Sequence, residues 1–378
     1  MSEIMIRFDK QGIFYDKGIA AKILGKLQEY LDDGKRGLRV MHVCGTHEHV
    51  IAQAGIRSML PKNVEVISGP GCPVCVCSTA DIYKALLLAN DGHMIATFGD
   101  MMRVPSEKGS LQDAKARGKD VRVVYSIDDA VQNAKDNPSR EVIFFAAGFE
   151  TFVPVVAASI LAGPPPNLSF LCSLKTITPV MDLLLSLGNI QLDGFITPGH
   201  VSTIIGTKPY DVFANAYKMP IVTAGFQPND ILLAIAMIAR QVRDREPRNE
   251  NEYKGIVKSE GNVKALELMH DVFDEATVVW RGIGPVPNGG LEIKKKYGHL
   301  DANARFGLDT RTDASIGKNK GIPPGCSCHL VIMGQIGPHA CPLFKSRKCN
   351  PQNPIGPCMV SDEGTCRIAS LYDEDQSE

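Results

Sequence analysis

The chain has 378 residues, with 41 Lys and Arg against 42 Asp and Glu, and a formal net charge of -1. This balance gives no electrostatic reason to expect nucleic acid or an anionic membrane as a partner. The first residues lack the apolar core of a signal peptide, and the longest apolar run, ILLAIAMIA at 231–239, is about half a membrane span. We therefore expect a soluble, cytoplasmic protein that binds neither nucleic acid nor membrane.

Short apolar runs alternate with helical patterns over the first two thirds of the chain. Strands are predicted at 38–43, 64–67, 93–98, 121–125, 141–147, 168–173, 194–197 and 220–224. Helical patterns between them cover 81–90, 126–137 and 178–188. Strands that alternate with helices indicate crossover connections and parallel sheets. The sequence predicts an α/β fold with two Rossmann-like parallel-sheet lobes that separate near Asn137-Pro138.

The remaining third of the chain has a different character. A charged segment, RDREPRNENEYKG at 243–255, is followed by one further predicted helix at 262–276. After about residue 300 the chain is rich in Gly, Pro and Cys and shows little periodicity, so bound metal is a plausible source of order there. We expect lobes at 15–138 and 139–255 and a loop-rich, cysteine-rich C-terminal domain at 256–378.

Five unusual motifs each come directly after a predicted strand. They are CGTHEH at 44–49, GPGCPVC at 69–75, GFET at 148–151, PGHVS at 198–202 and GFQP at 225–228. Open α/β sheets place their ligand crevice at the carboxyl ends of the strands. We therefore expect these loops to converge on a cleft between the two lobes.

Eleven cysteines in a chain expected to occupy the reducing cytosol indicate metal or redox chemistry more than structural disulfides. Cys72 and Cys75 form a C-x-x-C pair just before a helix predicted to start near Ser78, where the helix dipole favours thiolate. Such a pair can close a small disulfide ring or hold a soft metal ion. Half of a structural zinc site is the alternative.

Cys44, His47 and Glu48 lie within one helical turn after the first long strand. A thiolate and an imidazole together suit iron, zinc or copper. A Cys-His pair is also typical of cysteine proteases, but a hydrolase needs neither a further dithiol nor a terminal thiol cluster. The pattern therefore favours a metal site.

Six cysteines crowd the last fifth of the chain. They are Cys326, Cys328, Cys341, Cys349, Cys358 and Cys366. Spread thiols and a Cys-Pro step in a loop-rich segment favour iron–sulfur ligation over a zinc ribbon, with zinc as the alternative. Six thiols exceed the four ligands of one cluster, so spacing alone leaves the ligand set open.

Taken together, six motifs in order across nearly the whole chain resemble the HypD family. They are CGTHEH, GPGCPVC, GFET, TPGHVS, PIVTAGFQP and the terminal CPLF…C…MVSDEGTC. The resemblance implies two similar α/β lobes and a C-terminal domain that holds a [4Fe–4S] cluster. It also implies a scaffold on which the iron–dicyano–carbonyl unit of nickel–iron hydrogenases is assembled.

The resemblance also implies partners. They are a HypC-type chaperone that shares the iron, a HypE-type donor of cyanide and, indirectly, the precursor of the hydrogenase large subunit. Hydrolysis of ATP is expected, if at all, only in complex with the partner. We therefore expect an assembly scaffold with redox-active thiols and assign no enzyme class.

By the same resemblance, Cys44 matches the family's iron-binding cysteine and His47 the histidine of that motif. Cys72 and Cys75 match a redox-capable pair, and His47 and Glu48 complete the predicted catalytic set. The implied cluster ligands are Cys341, Cys349 and Cys366, with Cys328, or else Cys326, as the fourth. Iron carrying cyanide and CO would be held at Cys44, and the Cys72–Cys75 pair would store electrons beside it.

Four departures from the family pattern are visible. Gln227 stands where the family usually has Glu, and GFETF at 148–152 replaces the commoner GFETT. The spacing from Cys341 to Cys349 is one residue longer than expected, and Cys77 is an extra thiol that could compete for a disulfide. Two other classes of function remain open. One is a stand-alone thiol–disulfide oxidoreductase linked to an iron–sulfur cluster, and the other is a zinc-stabilised binding module.

Overall fold

A computed structural model describes residues 6–8, 14–31, 37–312, 316 and 321–372. The described chain groups into two compact units, each discontinuous in sequence. The first unit takes residues up to 71, 184–262 and those from 368 onward, and the second takes 72–183 and 263–367.

The strands are numbered in chain order. They are β1 (Ile6–Phe8), β2 (Phe14–Asp16), β3 (Leu38–His42), β4 (Val64–Ser68), β5 (Met94–Thr97), β6 (Val121–Val123), β7 (Val142–Gly148), β8 (Leu168–Lys175), β9 (Gly194–Pro198), β10 (Ile221–Ala224), β11 (Asn249–Asn251), β12 (Phe273–Trp280) and β13 (Gly284–Ile293).

The helices are numbered in the same way. They are α1 (Lys17–Tyr30), α2 (Gly45–Gln53), α3 (Ile56–Met59), α4 (Pro73–Val76), α5 (Thr79–Asn90), α6 (Leu111–Ala116), α7 (Ile127–Asp136), α8 (Val153–Leu161), α9 (Ile177–Leu187), α10 (Gly199–Ile205), α11 (Asp211–Asn215), α12 (Pro228–Asp244), α13 (Val263–Val272), α14 (Ala302–Phe306), α15 (Leu308–Arg311), α16 (Cys328–Ile332), α17 (Pro342–Lys345) and α18 (Thr365–Tyr372). Short 3-10 helices cover Gly99–Arg103, Lys208–Tyr210, Lys295–Leu300, Pro338–Ala340 and Pro357–Met359.

The first unit is built on a sheet that is parallel throughout, with the strand order β11-β10-β9-β3-β4. The apolar run at 231–239 forms the middle of α12, whose buried face packs with β3, β9 and β10 in one apolar core. Burial of that face on the sheet explains why the run is apolar. Among the described helices, none is both long and apolar enough to cross a bilayer.

The second unit is built on a mixed sheet with the order β12-β13-β8-β7-β5-β6. Strands β8, β7, β5 and β6 run parallel, and the β12–β13 hairpin adds antiparallel strands along β8. Trp280 stacks on Phe149 and donates from Nε1 to the carbonyl oxygen of Gly289 at 2.8 Å. That contact fixes the hairpin against the end of β7.

The predicted α/β fold with two parallel-dominated sheets and a cysteine-rich C-terminal region is confirmed, and all eight predicted strands are present. The grouping differs from the contiguous regions 15–138, 139–255 and 256–378. The reason is that the chain leaves the first sheet after β4, builds four strands of the second sheet and returns for β9.

The helix predicted at 262–276 is too long. The helix ends at Val272, and the residues after it form β12, which pairs with β13. Helical spacing of apolar residues cannot report a partner strand that comes later in the chain, so tertiary pairing overrides the local pattern.

Glu150, in the GFET motif after β7, is a buried carboxyl group at the start of α9. Its Oε1 accepts a hydrogen bond from the backbone N–H of Ile177 at 2.8 Å, and its Oε2 has no hydrogen-bond partner among the described residues. Burial raises the pKa of Glu150 to about 7, although the backbone hydrogen bonds oppose that rise. The side chain therefore acts here as a helix-start carboxyl group that resists ionisation.

We predict that Glu150→Gln stabilises the second unit only at high pH. The pKa of Glu150 rises from its usual value of 4.5 to about 7 on folding, so the wild-type chain loses stability as the pH rises from 4.5 through 7. The amide cannot ionise, and the variant should gain roughly 3 kcal/mol above pH 7 and nothing near pH 4.5. Trp280, the sole tryptophan of the sequence, reports unfolding by fluorescence.

Glu267→Gln, an exposed position on α13, is the matched control and should leave the pH profile unchanged. A Glu150→Gln profile that runs parallel to the wild-type profile would show that burial does not hold this carboxyl group neutral.

Candidate functional site

Cys44 lies at the carboxyl end of β3, directly before α2, and its side chain is buried. The loop after β4 passes over it, and the N–H of Gly45 donates to the carbonyl oxygen of Gly71 at 3.0 Å. A Cβ on Gly71 would overlap the backbone of Val43 and Cys44, so only glycine fits there. The GPG turn therefore fixes the backbone that carries Cys44.

His47 lies in the first turn of α2, three residues after Cys44, and is fully buried. Its Nε2 is 2.9 Å from the carbonyl oxygen of Gly225. A carbonyl oxygen only accepts, so Nε2 carries the proton and Nδ1 keeps its lone pair. That Nδ1 is buried and has no hydrogen-bond partner in the described part of the chain.

The charge state of His47 follows from this environment. Burial, with a smaller contribution from the neighbouring His42 ring, lowers the pKa of His47 to about 3. The imidazole is therefore neutral at physiological pH. A neutral imidazole with one nitrogen fixed by a carbonyl is the form that ligates metals.

Glu48 is buried, and its carboxylate contacts one imidazole and one guanidinium group. Its Oε2 lies 2.7 Å from Nε2 of His42, on β3, and 2.6 Å from Nη2 of Arg57. Arg57 also donates from Nε to the carbonyl oxygen of Val66, on β4, at 3.0 Å. Burial alone would raise the pKa of Glu48, but Arg57 and His42 lower it to about 2. Glu48 thus holds α2 against both strands, and its catalytic role stays a prediction.

The PGHVS and GFQP motifs meet at Phe226. The rings of His200 and Phe226 stack with centroids 3.8 Å apart, and the ring of Phe226 lies 4.9 Å from that of His47. The N–H of Gln227 donates to Oδ2 of Asp230 at 3.0 Å, so this position begins α12.

Four of the five motifs predicted to line a cleft follow strands of the first sheet. The fifth, GFET, follows β7 of the second sheet.

In the second unit, Cys72 and Cys75 form a disulfide with their Cα atoms 5.3 Å apart. Cys72 also begins α4, where its Sγ accepts from the N–H of Cys75 at 3.2 Å. Cys77 is not part of this bridge. Its Sγ lies 3.4 Å from Oγ of Ser173, and burial raises the pKa of its thiol to about 11. Among these three thiols, Cys77 is therefore the unreactive one.

Ser78 begins α5 as predicted, since its Oγ accepts from the N–H of Asp81 at 3.0 Å. The carboxylate of Asp81 accepts from the hydroxyl of Ser173 at 2.7 Å and lies 3.6 Å from Nζ of Lys175. A second buried polar network therefore holds the loop after Cys77 against β8.

The terminal thiols gather around the segment 356–358. The Sγ atoms of Cys328, Cys358 and Cys366 lie within 4.8 Å of one another, and all three are buried. This triad includes Cys358, to which the family resemblance assigned no role. The sequence signal that could have indicated it is the Gly356-Pro357 step, which starts the short helix that carries Cys358.

Three further thiols lie beside this triad. The Sγ of Cys326 accepts from the N–H of Cys328 at 3.4 Å, and that of Cys341 accepts from Ser327 at the same distance. Cys349 accepts from the N–H groups of Ile355 and Gly356 at 3.3 and 3.5 Å.

Backbone N–H groups directed at sulfur stabilise thiolates and tune bound iron. Buried thiolates in this number are the donors that thiophilic metals select. The residues present therefore fit a thiolate-held metal group.

We predict that Gly356→Ala disrupts this thiol group. A Cβ at Gly356 would lie 2.5 Å from Sγ of Cys328 and 2.7 Å from Sγ of Cys326, so both sulfurs must move. Overpacking of this kind costs about 1–3 kcal/mol. Metal content after anaerobic purification should fall, and Cys326 and Cys328 should alkylate faster.

Gly337→Ala is the matched control, since a Cβ there meets no described heavy atom within 4 Å. If both variants kept the wild-type metal content, the packing of these sulfurs around Gly356 would not control metal binding.

Comparison with known proteins places these motifs in a family. The HypD model, described as "Hydrogenase formation hypA family", matches residues 18–373. A hydrogenase expression/formation protein of Methanocaldococcus jannaschii is 44% identical over 360 residues, which cover 94% of this chain and 98% of that protein. The hydrogenase maturation factor HypD2 of Bradyrhizobium diazoefficiens is 43% identical over 95% of both chains, and HypD of Escherichia coli is 40% identical over 91% of both. The chain belongs to the HypD family of hydrogenase maturation factors.

Proposed function

We propose that the protein is the scaffold on which the iron–dicyano–carbonyl unit of nickel–iron hydrogenase is assembled, with Cys44 as the iron ligand. The observation that carries this proposal is the pairing, in one helical turn, of a buried thiol and a neutral imidazole with an unpartnered nitrogen in the described chain. Iron is the cargo of this site and leaves with the finished unit.

The local structure suits that cargo. Cys44 precedes the N-terminus of α2, where the helix dipole and free N–H groups favour thiolate. His47 stands three residues further on and offers a soft nitrogen donor without a charge to neutralise. Cyanide and CO are strong-field ligands, so soft protein donors are the appropriate companions for low-spin iron.

The second component of the proposal is the redox pair. The Cys72–Cys75 disulfide accepts two electrons and two protons to become two thiols. Sγ of Cys75 lies 3.9 Å from the carbonyl oxygen of Pro357, and the next residue, Cys358, belongs to the terminal thiol triad. A [4Fe–4S] cluster on the terminal thiols would supply one-electron chemistry next to the disulfide, with an external low-potential electron carrier as the source.

The cluster ligands are proposed from the same set of thiols. Cys328 and Cys366 belong to the triad, whereas Cys326, Cys341 and Cys349 accept backbone N–H groups beside it. A HypC-type chaperone would share the iron, a HypE-type protein would donate cyanide, and the hydrogenase large-subunit precursor would receive the product.

A second candidate function rests on the same disulfide. A stand-alone thiol–disulfide oxidoreductase would use the terminal thiols to reduce Cys72–Cys75 for a protein substrate and would need no iron at Cys44. Infrared spectra of anaerobically purified protein separate the two, because cyanide and CO stretching bands appear only if the protein carries the iron unit.

We predict that Cys44→Ala abolishes the cyanide and CO bands and leaves the iron–sulfur absorbance intact, since Cys44 and the terminal thiols lie in different units. Cys172→Ala, a thiol within β8, is the control and should keep both signals. Loss of the iron–sulfur absorbance in Cys44→Ala would contradict this division into two metal sites.

We also predict the pattern of thiol labelling. In reduced protein Cys72 and Cys75, which are 6% and 2% exposed, should alkylate near neutral pH faster than Cys77, and after mild oxidation both should be protected as one bridged peptide. Cys77 should stay unlabelled in both states because its thiol is buried with a raised pKa. Full alkylation of Cys72 and Cys75 under oxidising conditions would refute their role as an electron store.

A further inference from the structure

Arg281, between β12 and β13, is a buried cation with unused hydrogen-bond donors. Its side chain is 1% exposed, and its Nη2 donates to the carbonyl oxygen of Pro105 at 2.8 Å. Its Nε and Nη1 are buried without a hydrogen-bond partner in the residues that the structure describes. A buried guanidinium with two unpaired nitrogens is costly, so an anionic partner is expected at this place.

The surroundings of Arg281 are rich in sulfur. Its backbone N–H donates to the carbonyl oxygen of Val76, in the segment that carries the redox pair, at 2.9 Å. The next residue, Gly282, has φ of 82° and packs on α16, where a Cβ would lie 3.0 Å from Cα of His329, one residue after Cys328. The backbone on both sides of the guanidinium is thus tied to thiol-bearing segments.

The groups that interact electrostatically with Arg281 also lie in thiol-bearing segments. The groups that interact with it electrostatically include the thiols of Cys77, Cys328 and Cys358 and the carboxylate of Glu107. Glu107 is exposed, and the other buried cation nearby, Lys175, lies 3.6 Å from its own carboxylate, Asp81. Of these groups in the described part of the chain, the buried ones that can carry negative charge are therefore sulfur atoms.

We propose that Arg281 is a positioning residue whose free Nε–H and Nη1–H groups bind anionic sulfur of the terminal thiol group. This sulfur is a cysteine thiolate or a sulfide of the iron–sulfur group in the metal-loaded chain. The inference therefore rests on the proposed function, which supplies that group.

A fixed cation beside this group raises its reduction potential. One-electron reduction adds one negative charge, and a nearby guanidinium stabilises the more negative form. Removal of the charge should therefore lower the reduction potential. We expect a roughly tenfold change in the reduction equilibrium, which corresponds to about 59 mV for one electron.

The test compares Arg281→Met, Arg281→Lys and the control Arg305→Met, all in the full chain. Arg305 is another arginine of the second unit, and it pairs with Glu141 and the carbonyl oxygen of Pro166. Iron and sulfide are counted first. The iron–sulfur absorbance is then titrated anaerobically with dithionite, and the midpoint should fall in Arg281→Met, fall less in Arg281→Lys and stay unchanged in Arg305→Met.

An unchanged midpoint in Arg281→Met, with full iron and sulfide, would overturn the proposal. If Arg281→Met does not fold, Arg281→Gln, which also removes the charge but keeps a polar side chain, replaces it. A wild-type midpoint in Arg281→Gln with full iron and sulfide would likewise refute the inference.

The failure of the proposed function is distinguishable from the failure of this inference. If the wild-type chain holds no iron or sulfide, the iron–sulfur part of the proposed function is wrong, and the inference fails with it. If the wild-type chain holds both and the midpoint of Arg281→Met is unchanged, only the role of Arg281 is wrong.

Discussion

The buried carboxylate of Glu48 is the constraint on which the first unit's candidate site depends. It joins His42 on β3 and Arg57, which in turn is bonded to β4, so one charge fixes α2 against two strands. Removal of Arg57 or His42 would leave the buried carboxylate of Glu48 with one stabilising contact fewer, which is costly for a buried charge. Cys44 and His47 lie at the start of the same helix. Their placement therefore depends on an ion pair to which neither belongs.

Identical side chains acquire different chemistry in this fold. Cys72 and Cys75 lie at the start of a short helix and form a disulfide, whereas burial disfavours the thiolate of Cys77, two residues on. In the C-terminal region, Cys366 has a pKa lowered to about 6 by hydrogen bonds from the thiols of Cys328 and Cys358, against the opposing effect of burial. The environment of each thiol, and not its mere presence, decides which of them can react or bind metal.

The sequence was sufficient for the strands of the parallel sheets, because runs such as those of β3 and β7 are buried and apolar along their whole length. It was insufficient where pairing is long-range. Strand β11 lies in a charged segment and is held by β10, and β12 depends on β13. At the site, motif order indicated Cys44, His47 and the Cys72–Cys75 pair. Three features required three-dimensional placement. They are the donors of Arg281 that lack a partner among the described residues, the pairing of Glu48 and the contact of Cys358 with other thiols.

The close packing of two sulfurs on Gly356 affects how these thiols can react with oxygen. The space that a methyl group would occupy there is already filled by the sulfurs of Cys326 and Cys328. Oxidation of either thiol to sulfenic acid adds an oxygen atom of comparable size, and on the side facing Gly356 there is no room for it. An oxygen atom added on that side would therefore have to displace the loop at 356–358, so packing at Gly356 restricts where these sulfurs can be oxidised.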